Sequence, residues 1–560
     1  MLVATVVMIE MVAVSKLHRR LLTVMMVAMT TILAFAASPE TARAADAGAI
    51  TIGGDVATQY DAYQLFSATV TDKAGFDQKV ATDLAWASDA ARQAVLPVLY
   101  DAGFDSSAST AQEAAEWLNA DGHMSTALAA RLACAICNAG AASVPLNAGM
   151  AAELPCGYWL IVADDDAIDQ DEAATAPIMA LVGGSAVTVK PKAATPKVAK
   201  HVLEDGTAAW QKAADATVAD DLYWRLSATV PAGLTAYDTY TVQFVDTMGA
   251  GLDPSKVAAS MRVYAAAGAG GGFDAVACEG GNASSTPAKG WTDITSQCKV
   301  SIEGNAFTVR TGDLVAALGG VDAFTAGARV VAVYNAPLGA NCNQGATKGN
   351  PNEVYLRYPR SPLADQSGDA GFTRTPSDDA TAYTWGLSLI KRSSSDDKPL
   401  AGAKLRIIDD RGRILTTDGS WSTDSDAYVT SGADGHVELS GVDAGVYIVE
   451  EIAAPKGYTA FEGKRTAAVT AEGLDVKQVA AAKPKVTVSA ESPLRVDTAD
   501  AGTGSIELSV LNTPSKEASR GFMPSTGDRT LVLVAVLAAI GVAAIVVALV
   551  IKRGGGRREK

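Results

Sequence analysis

Histidine is nearly absent from this chain: four in 560 residues. That leaves little scope for a zinc site. Neither an H-E-x-x-H motif nor a G-x-S-x-G elbow occurs, which argues against the common hydrolase machineries. Positive charge is also short. Lys+Arg number 46 against 62 Asp+Glu, a formal net charge of −16. Basic residues gather at the two ends, so the stretch between is more acidic still. Such a surface is solvated and repels nucleic acid. The chain is expected to be neither an enzyme in the turnover sense nor a holder of any cofactor or metal.

Two long apolar runs stand at the ends. Lys16, Arg19 and Arg20 precede Leu21–Ala37, and Ala42-Arg43-Ala44 follows. This order of basic, apolar and small residues predicts a secretory signal peptide over 1–44, with Met8 and Met11 as alternative starts. The second run, Leu531–Ile551, spans about 31 Å at about 1.5 Å per residue, enough to cross a bilayer. Lys552, Arg553, Arg557, Arg558 and Lys560 come after it. Positive charge marks the cytoplasmic side, so 552–560 is an inner tail and everything before the span lies outside.

Cysteine is limited to Cys134, Cys137, Cys156, Cys278, Cys298 and Cys342. An even count in a secreted chain points to disulfides, without fixing their pairing. Cys134-Ala-Ile-Cys137 has no βαβ pattern around it, so bridges or idle thiols are expected there rather than redox chemistry.

Between the termini the chain reads as mainly β. Residues 45–192 open with strand patterns, "AITIGG" and "YDAYQLFSATV". They continue through Ala-rich stretches of helical spacing over 76–140 and close with "CGYWLIVADDD". The expectation is a β domain with a helical insertion. Residues 196–359 carry strand after strand separated by Gly, Asp and Asn turns. Residues 360–382 are polar with Pro and Gly and predict a linker. Residues 383–514 form a third domain of short strands, and regular spacing favours Ig-like β-sandwiches throughout. Residues 515–530 lead to the membrane span.

Strand alternation puts residues i, i+2 and i+4 on one face. In the third domain this aligns Trp385, Leu387 and Leu389 with Lys391, Tyr447 and Val449 with Glu451, and Ile506, Leu508 and Val510 with Asn512. In the second it aligns Val198 and Val202 with Lys200, Val242 and Phe244 with Asp246, and Val354, Leu356 and Tyr358 with Asn352. A polar residue at a strand end often merely surfaces, and lysine snorkels. The same lysine, acid and asparagine in two domains is harder to assign to chance. Burial frees a lysine lone pair and raises the pKa of a carboxyl. The lysine can then attack the asparagine carboxamide while the acid moves protons, leaving a Lys–Asn isopeptide bond and ammonia.

These residues resemble sortase-assembled pilins and wall-anchored fimbrial subunits of Gram-positive bacteria. Met523, Pro524, Ser525, Thr526 and Gly527 look like the LPxTG sorting signal with Met for Leu. With the span and basic tail they resemble the tripartite wall anchor, which implies cleavage between Thr526 and Gly527. "PLAGAKLRI" (399–407) and "YIVEEIAAPKGY" (447–458) resemble a CnaB-type domain with its E-box, implying Glu451 as the catalytic acid. "FVDTMGAGL" and "NPNEVYLRYP" are similar to the fimbrial isopeptide-formation domain, implying Asp246 as acid and Asn352 as electrophile, with Asn350 an alternative. "GGSAVTVKPK" (183–192) resembles the pilin WxxxVxVYPK motif with Gly183 for Trp and Lys190 for Tyr. Lys192 is then the subunit-joining lysine, with Lys190 and Lys197 as alternatives.

The resemblance implies the following partners: pilus-specific and housekeeping sortases, other copies of the chain, a peptidoglycan precursor, accessory pilins and host surface ligands. It implies a cell-surface, wall-anchored location after transient membrane retention. The function expected is that of a pilus subunit serving adhesion and self-stabilised by Lys–Asn bonds. The alternative is a wall-anchored adhesin or accessory pilin that is never polymerised.

Overall fold

The computed structural model describes residues 47–515 apart from 54–58, 74–77, 121–122, 165–166, 168–175, 192–194, 233, 235, 271, 273–277, 280–281, 284–288 and 325. The signal segment, Lys192, the Met523–Gly527 pentapeptide and the 531–551 run lie outside the described residues. Among those described, no helix is long and apolar enough to cross a membrane.

The N-terminal unit is built on the strand Gln59–Asp72, which pairs antiparallel with Lys79–Trp86, Val144–Asn147 and Gly157–Ala163. Ile178–Val182 extends that sheet. One face packs on a small sheet in which Ala47–Ile52 lies between Ala151–Pro155 and Val187–Val189, with Ile50, Ile52, Trp159 and Ile161 between the layers. The other face is covered by helices Asp89–Asp101, Ala111–Asn119 and Thr126–Asn138 through Val95, Leu99, Leu118 and Leu132. Ser88, Thr110 and Ser125 cap these helices with their side chains, and Thr110 and Glu113 form a reciprocal capping box.

The helical reading of 76–140 needs one correction. Lys79–Trp86 is a strand running from Asp72↔Lys79 to Phe66↔Trp86. Its Trp86 ring packs 4.8 Å from that of Phe66, and no capping side chain is engaged before Ser88. Cys134, Cys137, Cys156, Cys298 and Cys342 are thiols, so the expected disulfides are not seen among these five.

The second domain is a sandwich of two sheets. In one, Lys197–Glu204 lies between Ala209–Gln211 and Tyr223–Val230, followed by Ala328–Asn335 and Arg262–Ala267. In the other, the order is Ala213–Asp215, Asp378–Tyr383, Asn350–Pro359, Gln243–Met248, Ala306–Arg310 and Lys299–Glu303. Trp224, Phe244, Val330 and Leu356 fill the space between.

Part of the stretch expected as a linker, 360–382, is instead sheet. Phe372–Arg374 and Asp378–Tyr383 both pair with Asn350–Pro359. Only about 360–371 make a connection, and Arg357 holds it down through Asp369 at 2.9 Å. Before Tyr383 the apolar contribution of this strand comes from small side chains, Ala380 and Ala382, both fully buried. Alanine at period two is a weak strand signal.

The third domain follows without a gap, since Thr384 alone separates Tyr383 from Trp385. Its first strand, Trp385–Ser393, lies between His436–Val442 and the last, Ser505–Pro514, to which it runs parallel. The facing sheet contains Lys404–Ile408, Gly445–Ala453, Lys464–Glu472 and Lys485–Ala490. Leu387, Leu389, Ile407, Val449 and Leu508 pack between them. The two sandwiches are joined by backbone hydrogen bonds from Val218 to Gly441 and from Ala346 to Ala501, both 2.8 Å. Asp220 accepts from Arg413 at 2.6 and 2.7 Å and from Arg411 at 2.9 Å.

Candidate functional site

In the second domain, Lys200 sits at the middle of its strand and projects between the sheets. Asp246 and Asn352 come from neighbouring antiparallel strands of the facing sheet, where Met248 pairs with Asn352 and Asp246 with Val354. All three residues are 0% exposed. The Lys200 ammonium nitrogen donates to Asp246 Oδ2 and, at 2.9 Å, to the Tyr334 hydroxyl. Tyr334 donates to Asp246 Oδ2 at 3.0 Å and accepts from Asn352 Nδ2 at 2.8 Å. Tyr334 is therefore the hub that links the acid to the carboxamide. The rings of Trp224 and Tyr334 lie 5.5 and 5.4 Å from Lys200 Nζ and close the site to water.

Burial governs the charges here. It pushes the Lys200 amine down to about 8 against the pull of Asp246. It pushes Asp246 up against the pull of Lys200, and it drives the Tyr334 hydroxyl well above its ordinary value. Both partners are thus moved toward their neutral forms. Asp246 Oδ1 and Asn352 Oδ1 are buried with no hydrogen-bond donor. An unsatisfied buried acceptor costs roughly 1–3 kcal/mol, and protonation of Asp246, the direction in which burial pushes it, removes the charge from its unpartnered carboxylate.

The third domain has the same residue types in a different arrangement. Lys391 and Asn512 are on neighbouring parallel strands of one sheet, in register two residues apart, and Glu451 reaches them from the other sheet. Lys391 Nζ donates to Asn512 Oδ1 and lies 3.1 Å from Glu451 Oε1. The same Oε1 accepts from Asn512 Nδ2 at 2.8 Å, while Oε2 accepts from the Phe461 backbone at 3.1 Å. Here one carboxylate oxygen touches both amine and carboxamide, with no tyrosine between. Burial again pushes the lysine down to about 8, with Glu451 pulling the other way.

The structure thus brings together the members of each expected trio. Asn350 is not among them. Its side chain holds the backbone of Asn343 and Ala382 through bonds of 2.8–3.2 Å. Tyr334 escaped the sequence reading, although a hydroxyl continuing the Val330 and Ala332 row of "ARVVAVYN" was a signal of the same kind. Of the other joining-lysine candidates, Lys190 and Lys197 are both exposed.

Residues 386–483 match the SpaA family, a prealbumin-like fold domain, within the stretch expected as the third β domain. No curated protein matches the chain. Among solved structures it is similar to the T6 backbone pilin of serotype M6 Streptococcus pyogenes, at 14% identity and TM-score 0.46, covering 85% of this chain and 100% of that one. It is similar to the full-length major pilin SpaD of Corynebacterium diphtheriae at 14% and 0.42, covering 86% and 100%. It is also similar to BcpA, the major pilin subunit of Bacillus cereus, at 12% and 0.37, covering 84% and 99%.

Proposed function

We propose that this chain is a structural subunit of a wall-anchored, sortase-assembled surface fibre, a pilin strapped internally by Lys200–Asn352 and Lys391–Asn512 isopeptide bonds. The observation that carries this reading is the recurrence of a buried lysine, acid and asparagine in two sandwiches, each spanning most of its domain. In each, the neutral lysine nitrogen attacks the asparagine Cγ. The new C–N bond replaces the bond to Nδ2, and a lysine proton passes to that nitrogen, which leaves as ammonia. Glu451 carries the proton directly, since it touches both nitrogens. Asp246 carries it through the Tyr334 hydroxyl. Force along the fibre then bypasses each sandwich through a covalent tie between an early and a late strand.

The sequence around 523–527, ahead of an apolar run and a basic tail, supports transfer to the wall. Thr526 is the proposed acyl donor, and Lys192 is the proposed acceptor on the next copy. The test is a denaturing gel of wall extracts from wild-type and Lys192→Ala cells, blotted for this chain. A ladder that collapses in the mutant supports a shaft subunit joined at Lys192. A ladder in both moves the joint to another lysine, with Lys190 and Lys197 as candidates. A single monomer band in both makes the protein a solitary wall-anchored adhesin.

A further inference from the structure

Lys200 lies where its strand is only half paired. On one side it faces Leu226 of Tyr223–Val230. On the other, pairing with Ala209–Gln211 begins only at Val202, so the main-chain N–H and C=O of Lys200 have no strand partner there. Two side chains fill that gap. Asp378 Oδ2 accepts the Lys200 N–H at 2.7 Å, and Lys212 Nζ donates to the Lys200 carbonyl at 2.8 Å. Lys212 and Asp378 are ion-paired to each other, and Lys212 also donates to the Asp379 carbonyl at 3.1 Å. Lys212 is only 7% exposed.

A buried lysine is costly unless it is paired and hydrogen-bonded, and Lys212 meets that condition through Asp378 and two main-chain carbonyls, one of them that of Lys200. We propose that Lys212 and Asp378 form a positioning clamp that fixes the backbone of the Lys200 nucleophile and sets its charge state for bond formation in the second domain. This rests on the isopeptide reading above. The groups acting on the Lys200 amine are Asp246 from the facing sheet, Tyr334 from two strands along in its own sheet, and Lys212 and Asp378 at its open edge. Asp246 and Asp378 favour the ammonium, whereas the Lys212 charge disfavours it. Lys212 also offsets Asp378, so removing Lys212 leaves both acids opposed by burial alone. The amine then stays protonated to a higher pH.

The test follows the Lys200–Asn352 cross-linked peptide by mass spectrometry. Freshly made full-length protein is held for timed intervals at pH 6, 7, 8 and 9, as wild type, Lys212→Met and Lys212→Gln. The Lys391–Asn512 peptide of the same molecules serves as the internal control. Both variants are expected to form the second-domain bond about tenfold more slowly than wild type at pH 7 and to approach it at pH 9. Lys212→Gln, which keeps a donor for the Lys200 carbonyl, guards against a simple folding defect in Lys212→Met. Variant profiles parallel to wild type, whether equal or uniformly reduced, overturn the proposal. Absence of the bond in wild type itself would instead defeat the isopeptide reading on which it rests.

Discussion

Lys391 and Asn512 lie on the first and last strands of the third domain, side by side and parallel, with the lysine nitrogen donating to the asparagine carboxamide oxygen. Lys200 and Asn352 instead approach from opposite sheets. The two sandwiches therefore place the same residue types by different topologies. One strap would lie within a sheet and the other would cross the core.

Glu451→Gln keeps the shape of the side chain and removes its ability to carry a proton. The Lys391–Asn512 cross-linked peptide is expected to disappear while the Lys200–Asn352 peptide persists, with the chain heavier than wild type by about 16 Da, one retained ammonia of about 17 Da less the roughly 1 Da lost in Glu→Gln. Loss of a tie closing a loop of this length should lower stability by roughly 4–5 kcal/mol on the chain-entropy estimate. Denaturant unfolding of the third domain checks this.

Tyr334→Phe removes only the hydroxyl that links Asp246 to Asn352. The ring stays edge-on to Phe307, 4.8 Å away, so the fold is expected to survive. Bond formation in the second domain should slow by on the order of 100-fold, as for a lost preorganised donor. The third domain should be unaffected, since Glu451 needs no such relay. Cross-linked peptide yields over time distinguish the two.

Both lysines have amines pushed down to about 8. Attack needs the neutral amine, whose fraction is half at that pH and falls about tenfold for each unit below it. Bond formation in freshly folded protein should therefore rise from pH 6 to pH 8 and then level off. A free lysine near 10.4 would still be climbing steeply at pH 9. Timed cross-link yields across this range give the profile.

The period-two alternation of strands was enough to align Lys200, Asp246 and Asn352, and Lys391, Glu451 and Asn512, with apolar rows. A charged side chain inside such a row is conspicuous. Tyr334 is not, because tyrosine is ordinary in a core and only its partners reveal its role. Lys212 was hidden for another reason: it sits between short strands, and its work is done on the main chain of a residue 12 positions away. Residues 378–382 look like linker in the sequence because alanines supply their buried apolar positions. Lys79–Trp86 looks helical in the sequence because its composition matches the helices after it, although it pairs with Gln59–Asp72.

Asp220 is one of the side chains that bridge the second and third domains, held by Arg411 and Arg413 from the other side. Asp220→Ala leaves Arg411 and Arg413 without it. Amide exchange at Val218 and Ala346, whose N–H groups bond across the joint, should accelerate by on the order of tenfold. Neither cross-linked peptide should change. Protection at the two amides equal to wild type would show that the joint holds without Asp220, through its backbone bonds and the contacts of Asp215 with Trp385 and the Ala444 backbone.

The most direct measurement is peptide mapping of the full-length protein by mass spectrometry after complete proteolysis. The account predicts two cross-linked species, Lys200 with Asn352 and Lys391 with Asn512, each lighter than its two component peptides by one ammonia, about 17 Da. Recovery of the four peptides separately and at their unmodified masses would contradict it.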